Sequence, residues 1–451
     1  MKTLHTRLIT TDKDFYKSLV SLALPIALQH LVSFLITLTD SIMIGQLGES
    51  ATAGAYVGSL VFTVLRMLIT GVEGGIAVAV SRCWGKGDTD KIKRISAAGA
   101  YLSIAFGVCL ALPSLICPEL IVSFFLSDSG KVEGAEYLRA LAPAFIPFVL
   151  SCAPAAILRS IESPRVATLA SSSGFVLNLL FDYLLIFGKL GFTKMSVTGA
   201  AIATFIAYSA ELLILLIYLF LFDKKLSMRP RDLLAVKKST AISFLGYTTP
   251  IILGQAVWIF NTLFSSFVLS DTGSAAVAAV AVASTLNSLS YVLMNGLSGA
   301  VGIIIGKTIG EGRIDRIKEY SYTTEAIFIL LGIITSAMLF FTRYPFVSLY
   351  NVGEDAARIA VQLISVLALT VIGTSYQSAC LGGLVKSGGD VSFIFKNDAF
   401  FIFLIVLPLS ITAVRLGAPL WLVFLALKSD QILKCIPAAI KINRFGWIKR
   451  L

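Results

Sequence analysis

Two carboxylates stand inside long apolar runs, at Asp40 and Asp182, and an amide at Asn178 and a hydroxyl at Thr204 lie in runs of the same kind. An ionised side chain within a bilayer costs about 2.5 kcal/mol or more, so each one needs a partner, a cavity or a task. At about 1.5 Å of helical rise per residue, Asp40 and Asp182 each fall roughly 9 Å from the outer end of their span, Thr204 roughly 12 Å and Asn178 roughly 15 Å. Four polar groups from three helices are therefore predicted at one level. Carboxylate, amide and hydroxyl oxygens are hard ligands suited to a small cation such as Na⁺. Two neighbouring carboxylates can alternatively hold a proton between them, and the spacing leaves both chemistries open.

The helical faces agree with these depths. Gln29, Ser33, Thr37 and Asp40 form one polar stripe, Ser171, Gly174, Asn178 and Asp182 a second, and Thr204, Tyr208 and Glu211 a third, all at steps of three or four. Three such stripes can line one cavity. Thr63, Arg66, Thr70 and Glu73 make a further stripe, in which Arg66 is expected to pair with Glu73 or Glu211 as a structural or gating pair. Asp398 is expected to meet Lys396 or Lys428. Gln255, Trp258, Asn261 and Asn287 could line a cavity for organic cations in the second half of the chain. Pro25 lacks an N–H donor inside the first run and should bend it, which makes it a candidate hinge.

The elements that must position these groups follow from composition. Of 451 residues, 57% are apolar and 14% charged, and the mean hydropathy is +0.87. An ordinary soluble domain carries about 25% charge. Apolar runs of twenty or more residues therefore place most of the chain in lipid, as an all-α polytopic membrane protein. Breaks at Gly, Pro and charge clusters predict twelve transmembrane helices, at roughly 17–46, 51–82, 95–118, 135–158, 165–188, 196–222, 241–270, 275–306, 319–342, 356–385, 391–415 and 418–440. The net charge of +11 is carried by Lys and Arg in alternate connections, such as Arg82, Lys86, Lys91, Lys93 and Arg94. This is an orientation signal with both termini cytoplasmic, and no nucleic-acid partner is expected. The polar first eighteen residues lack an apolar core and a cleavage site, so the first run is expected to stay in the mature chain. The six cysteines show no C-x-x-C pair, which argues against a disulfide framework or metal site.

The chain also repeats itself. Pro25 precedes Pro250 by 225 residues, and the segment from Gly85 to Lys93 matches that from Gly310 to Lys318 at the same offset. Two pseudo-symmetric six-helix bundles follow, with an amino-terminal lobe over 1–222, a basic cytoplasmic linker over 223–240 and a carboxyl-terminal lobe over 241–451. Parallel repeats of this kind place the substrate path between halves. Asp40 maps onto Ser265, while Asn178 and Asp182 map onto Ile405 and Leu409, so the paired acids occur in one half only. A purely structural role would need them in both.

Enzyme motifs fail on inspection. The run from Gly302 to Thr308 has Val301 where a phosphate-binding loop needs glycine, and it ends an apolar run. Asn397 and Asp398 lack a second acid three positions on, where Phe401 stands, as a diphosphate-binding prenyltransferase would want. Two histidines in total, with only His30 at depth, support no His-based chemistry.

Taken together, A-L-P-I-A-L-Q and T-D-S-I-M-I-G-Q-L-G between Ala23 and Gly48, the basic Gly-x-Gly loops, I-L-R-S at 157–160, N-L-L-F-D at 178–182 and V-T-G-A-A-I-A-T at 197–204 resemble the multidrug and toxic compound extrusion (MATE) family, in its bacterial DinF-like branch. The resemblance implies antiport of an organic, usually cationic, substrate against Na⁺ or H⁺ by alternating access. It carries the cation-coupling role onto Asp40, Asn178, Asp182 and Thr204, and the helix bend onto Pro25. Some members carry a Glu in the seventh span and an Asp in the tenth; neither is present here, which makes the first lobe the expected coupling site. The expectation is a monomeric exporter in the cytoplasmic membrane that binds a small organic substrate and requires no cofactor. The substrate cavity would draw on Gln29, Ser33, Thr37, Tyr208, Glu211, Gln255, Trp258 and Asn261. A flippase of a lipid-linked carrier and a membrane-embedded enzyme are the alternatives.

Overall fold

The computed structural model describes residues 9–125, 130–234, 236–270, 274–350 and 353–449. Eleven of the helices described are long and apolar enough to cross a membrane. They are α1 (Lys13–Gly45), α2 (Glu49–Lys86), α3 (Thr89–Ile116), α4 (Lys131–Ser160), α5 (Pro164–Phe187), α6 (Val197–Phe222), α7 (Lys238–Ser270), α8 (Ser274–Gly310), α9 (Ile314–Val347), α10 (Glu354–Val385) and α11 (Val391–Arg415). The apolar segment expected as one span over 418–440 is built in three pieces, α12 (Leu420–Leu427), α13 (Asp430–Leu433) and α14 (Cys435–Asn443). The breaks fall at Lys428, Ser429 and Lys434. Carbonyls freed by such a break need donors inside an apolar medium. Gln377 of α10 donates from Nε2 to the Gln431 carbonyl at 2.6 Å and to the Asp430 carbonyl at 3.0 Å, the latter also accepting from the Lys434 N–H.

Two of the helix ends show the repeat in the backbone. Gly87 closes α2 with φ +72°, and Gly312, 225 residues on, follows α8 with φ +75°. This is the left-handed region that a Cβ disfavours, so the Gly-x-Gly loops end both helices in the same way. In the first copy Asp88 then caps α3, its Oδ1 accepting from the Lys91 N–H at 3.0 Å.

Contacts divide the chain into two compact units. One is Leu28–Ile252; the other combines Met1–Ala27 with Leu253–Leu451. Both α1 and α7 change unit part-way, two residues beyond Pro25 and Pro250 respectively, and each helix continues through its proline. The first unit has two apolar clusters, one around Ile69, Leu138 and Phe145 and one around Ile76, Leu158 and Phe244. The second unit has its own, around Ile305, Phe328 and Trp447 and around Ile364, Leu367 and Leu427.

Candidate functional site

Within the unit Leu28–Ile252, helices α1, α5 and α6 bring the four predicted coupling residues together. Gly199, at the start of α6, lets its backbone lie on α5, since a Cβ there would stand 2.8 Å from the Leu185 carbonyl carbon. That approach sets Thr204 and Asp182 at one level. Asn178 and Asp182 have no solvent exposure and Thr204 only 5%. The Asp40 side chain lies beside those of Asp182 and Asn178, close enough for direct electrostatic interaction.

The bonding of this cluster is incomplete. Oδ1 of Asp40, both carboxylate oxygens of Asp182 and both polar atoms of Asn178 are buried without a hydrogen-bond partner among the described residues. Thr204 donates its hydroxyl proton to the Ala200 carbonyl at 2.9 Å, which leaves the oxygen's lone pairs available. A buried unpaired polar group costs about 1–3 kcal/mol and a charged one more. Like charges at about 4 Å repel by about 4 kcal/mol at an effective dielectric of 20, so two unpaired carboxylates side by side are unfavourable. A cation placed among these oxygens would supply the missing partners and offset the repulsion, and the donor set consists of oxygens alone apart from the Asn178 nitrogen.

Asp40 and Thr204 also line a cavity of about 270 Å³, together with Thr37, Arg66, Tyr137 and Tyr208. The site thus joins a buried carboxylate pair to an open chamber. Tyr137 of α4, facing both Asp40 and Asp182, is a member that sequence reading missed. It is one phenol among the charged residues Glu133, Glu136 and Arg139 at the start of α4, and no periodicity distinguishes it from a packing residue.

A second polar layer in the same unit corrects the expected pairing of Arg66. Glu73 receives Arg159 of α4 at 3.0 Å, and Arg159 also donates to Gln29 at 3.3 Å. Glu211 accepts from the Ser171 hydroxyl at 2.6 Å. Arg66 donates instead to the Thr37 hydroxyl at 3.3 Å. Glu73 lies seven residues from Arg66, about 10 Å along the same helix, whereas Arg159 approaches from a neighbouring one. Of the remaining substrate-cavity expectations, Thr37 and Tyr208 line the chamber, and Gln29, Ser33 and Glu211 are not part of its wall.

In the other unit Gln255, Trp258 and Asn261 lie on α7, and Asn261 Oδ1 is buried without a partner. The Trp258 ring faces a cation of the chain itself, Lys434 Nζ, 5.8 Å from the ring centre. Lys434 is 1% exposed and is bracketed by Asp398 at 2.8 Å and Asp430 at 2.9 Å. Asp398 therefore pairs with neither Lys396 nor Lys428. Lys396 is two positions away on another face of α11, and Lys428 Nζ lies over the Phe424 ring at 5.7 Å.

The sequence profile of the MatE family matches residues 25–184 and 250–412, one block in each half. The chain belongs to the MatE family. It is similar to the probable multidrug resistance protein NorM of Thermotoga maritima, 23% identical over 84% of this chain and 81% of that protein. The protein of the same name from Neisseria meningitidis serogroup B is 25% identical over 83% of this chain and 82% of its own length. In fold it is similar to a MOP superfamily transporter from Pyrococcus furiosus, with a TM-score of 0.87, 20% identity and full coverage of both chains. A Vibrio cholerae MATE transporter, VcmN, gives a TM-score of 0.86 at 17% identity, covering 96% of this chain and 97% of that one. This MatE protein is a membrane transporter and not an enzyme, built from twelve transmembrane helices in two six-helix bundles.

Proposed function

We propose that this MatE protein is a secondary antiporter that exports small organic substrates, multidrug compounds among them, across the cytoplasmic membrane in exchange for Na⁺ or H⁺. The observation that carries the reading is the pair Asp40 and Asp182, three of whose four carboxylate oxygens are buried without a hydrogen-bond partner among the described residues, beside a chamber. Asp40, Asn178, Asp182 and Thr204 are the cation-coupling residues. The entering cation offsets the negative charge of the carboxylate pair, and a cationic group of the substrate competes for the same charge. A ligand shifts two conformations only by its differential affinity for them, so this competition is what couples the fluxes. Pro25 lies where α1 passes between units and serves as the hinge. The repeats over 1–222 and 241–451, joined by the basic segment 223–240, are the two lobes of a monomer with both termini cytoplasmic.

The test uses purified protein in liposomes with Na⁺ and pH gradients imposed separately. Asp40→Asn is expected to lower gradient-driven substrate movement at least about tenfold, the scale set by about 1.4 kcal/mol of lost coupling, while the protein still folds. Undiminished transport in that variant would overturn the assignment.

A further inference from the structure

The chamber beside Asp40 holds one feature that export of simple cations does not use. Arg66 lines it, and a guanidinium stays charged at any accessible pH. Its five N–H donors have one recorded partner, the Thr37 hydroxyl at 3.3 Å, and it forms no salt bridge among the described residues. The acids nearest in sequence and fold are engaged elsewhere, Glu73 by Arg159 and Glu211 by Ser171. Asp40 lines the same chamber but lies outside ion-pair distance of Arg66, and its Oδ1 has no partner. Opposite charges therefore share one chamber without satisfying each other.

A purely cationic substrate in that chamber would be attracted by Asp40 and repelled by Arg66. The guanidinium therefore offsets part of the attraction that the carboxylate pair exerts on a cation. A ligand carrying both signs gains from both groups. The chamber wall also carries the aromatic and hydroxyl groups of Phe62, Tyr137, Tyr208 and Ser59 among aliphatic side chains, which suits a planar apolar body with polar ends.

We propose that Arg66 is an anion subsite of the transport chamber and that the preferred substrates are amphoteric, with an ammonium group for Asp40 and a carboxylate or other planar oxyanion for Arg66. The inference rests on the antiport reading above. Guanidinium and carboxylate form two parallel hydrogen bonds, which selects planar acids over halide-like anions.

The test compares 4-(2-trimethylammonioethyl)benzoate with its methyl ester, two probes that differ in one negative charge and keep a fixed positive one. Proteoliposomes holding the full chain are loaded with either probe, and efflux under Na⁺ and pH gradients is followed. The wild-type protein should prefer the free acid by about tenfold, the selectivity a charge-assisted pair confers. Arg66→Gln should abolish that preference by slowing the acid while the ester moves as fast or faster; Arg66→Lys should retain part of it. Equal handling of both probes by the wild type, or an unchanged preference in Arg66→Gln, would overturn the anion subsite and leave antiport standing. Movement of neither probe by wild type under either gradient would remove the antiport reading and the subsite with it.

Discussion

Each half of this transporter holds a pair of neighbouring carboxylates, and the halves treat them in opposite ways. In the second unit Asp398 and Asp430 hold the ammonium of Lys434 at 2.8 and 2.9 Å, with the Trp258 ring beside it. In the first, Asp40 and Asp182 lie side by side with three of their four oxygens unpartnered and no ion pair among the described residues. A tethered ammonium cannot diffuse away, so the second cluster permanently carries its own counter-charge. The first can be neutralised only by a cation that enters from solution, and such a cation can leave again. The difference separates a fixed pair from an exchangeable one using the same side chains.

The largest expected effect comes from breaking the tethered pair. Lys434→Met removes the ammonium and leaves two buried carboxylates unpaired, a change worth about 3–5 kcal/mol of stability. Thermal unfolding in detergent should show a marked loss, and adding Asp398→Asn and Asp430→Asn to Lys434→Met should restore most of it. If Lys434→Met unfolds at the wild-type temperature, the second cluster is not held by charge and the contrast between the halves is lost.

In the first half the same logic predicts the opposite sign. Asp182→Asn discharges one of two unpartnered carboxylates, so the cation-free protein should gain about 1 kcal/mol, the lower end of what an unpaired buried group costs. The wild-type melting temperature should rise with Na⁺ or with acidification, since either supplies the missing cation. That dependence should vanish in Asp182→Asn and persist in a Lys434 variant. A variant of Asp182 that is less stable than wild type at every Na⁺ concentration and pH would mean the pair is already satisfied.

The first cluster could be read from the chain because its members sit on regular helices. Steps of three and four set Asp40, Asn178, Asp182 and Thr204 on inward faces, and depth follows from rise per residue. The ends of α5 were equally legible: the span expected over 165–188 is Pro164–Phe187, with proline in the first turn and Gly188 in the left-handed conformation just beyond. Pairings that join distant helices were not legible. Arg159 meets Glu73 across 86 residues of sequence and Lys434 meets Asp398 across 36, and no local pattern selects these partners over Arg66 or Lys428. The breaks around Lys428 and Lys434 were hidden for a related reason. Gln377, which donates to the carbonyls of Asp430 and Gln431 at the break, lies more than fifty residues away.

The smallest effect concerns the end of the chain that crosses from one repeat to the other's unit. Residues before α1 are tied to α9 by the Thr10 N–H donating to Thr323 Oγ1 at 2.8 Å and by the Tyr320 hydroxyl donating to Asp12 at 2.7 Å. The Tyr320 bond, with Arg316 3.7 Å away, holds the Asp12 carboxyl below the ordinary carboxylate range. A lowered folded value means that the contribution is complete above the unfolded value near 3.9 and is lost as pH falls through the folded one. Tyr320→Phe should therefore reduce stability by less than about 1 kcal/mol at neutral pH, as expected for a partly exposed charged hydrogen bond, and the gap to wild type should close on acidification. Because this tie lies in the unit that carries its own cation, the Na⁺ and pH dependence assigned to Asp40 and Asp182 should be unaltered in Tyr320→Phe between pH 6 and 8, roughly two units above the range in which Asp12 titrates. A shift of that dependence would show that the amino-terminal tie and the exchangeable pair act as one switch, and the division between a fixed and an exchangeable half would have to be redrawn.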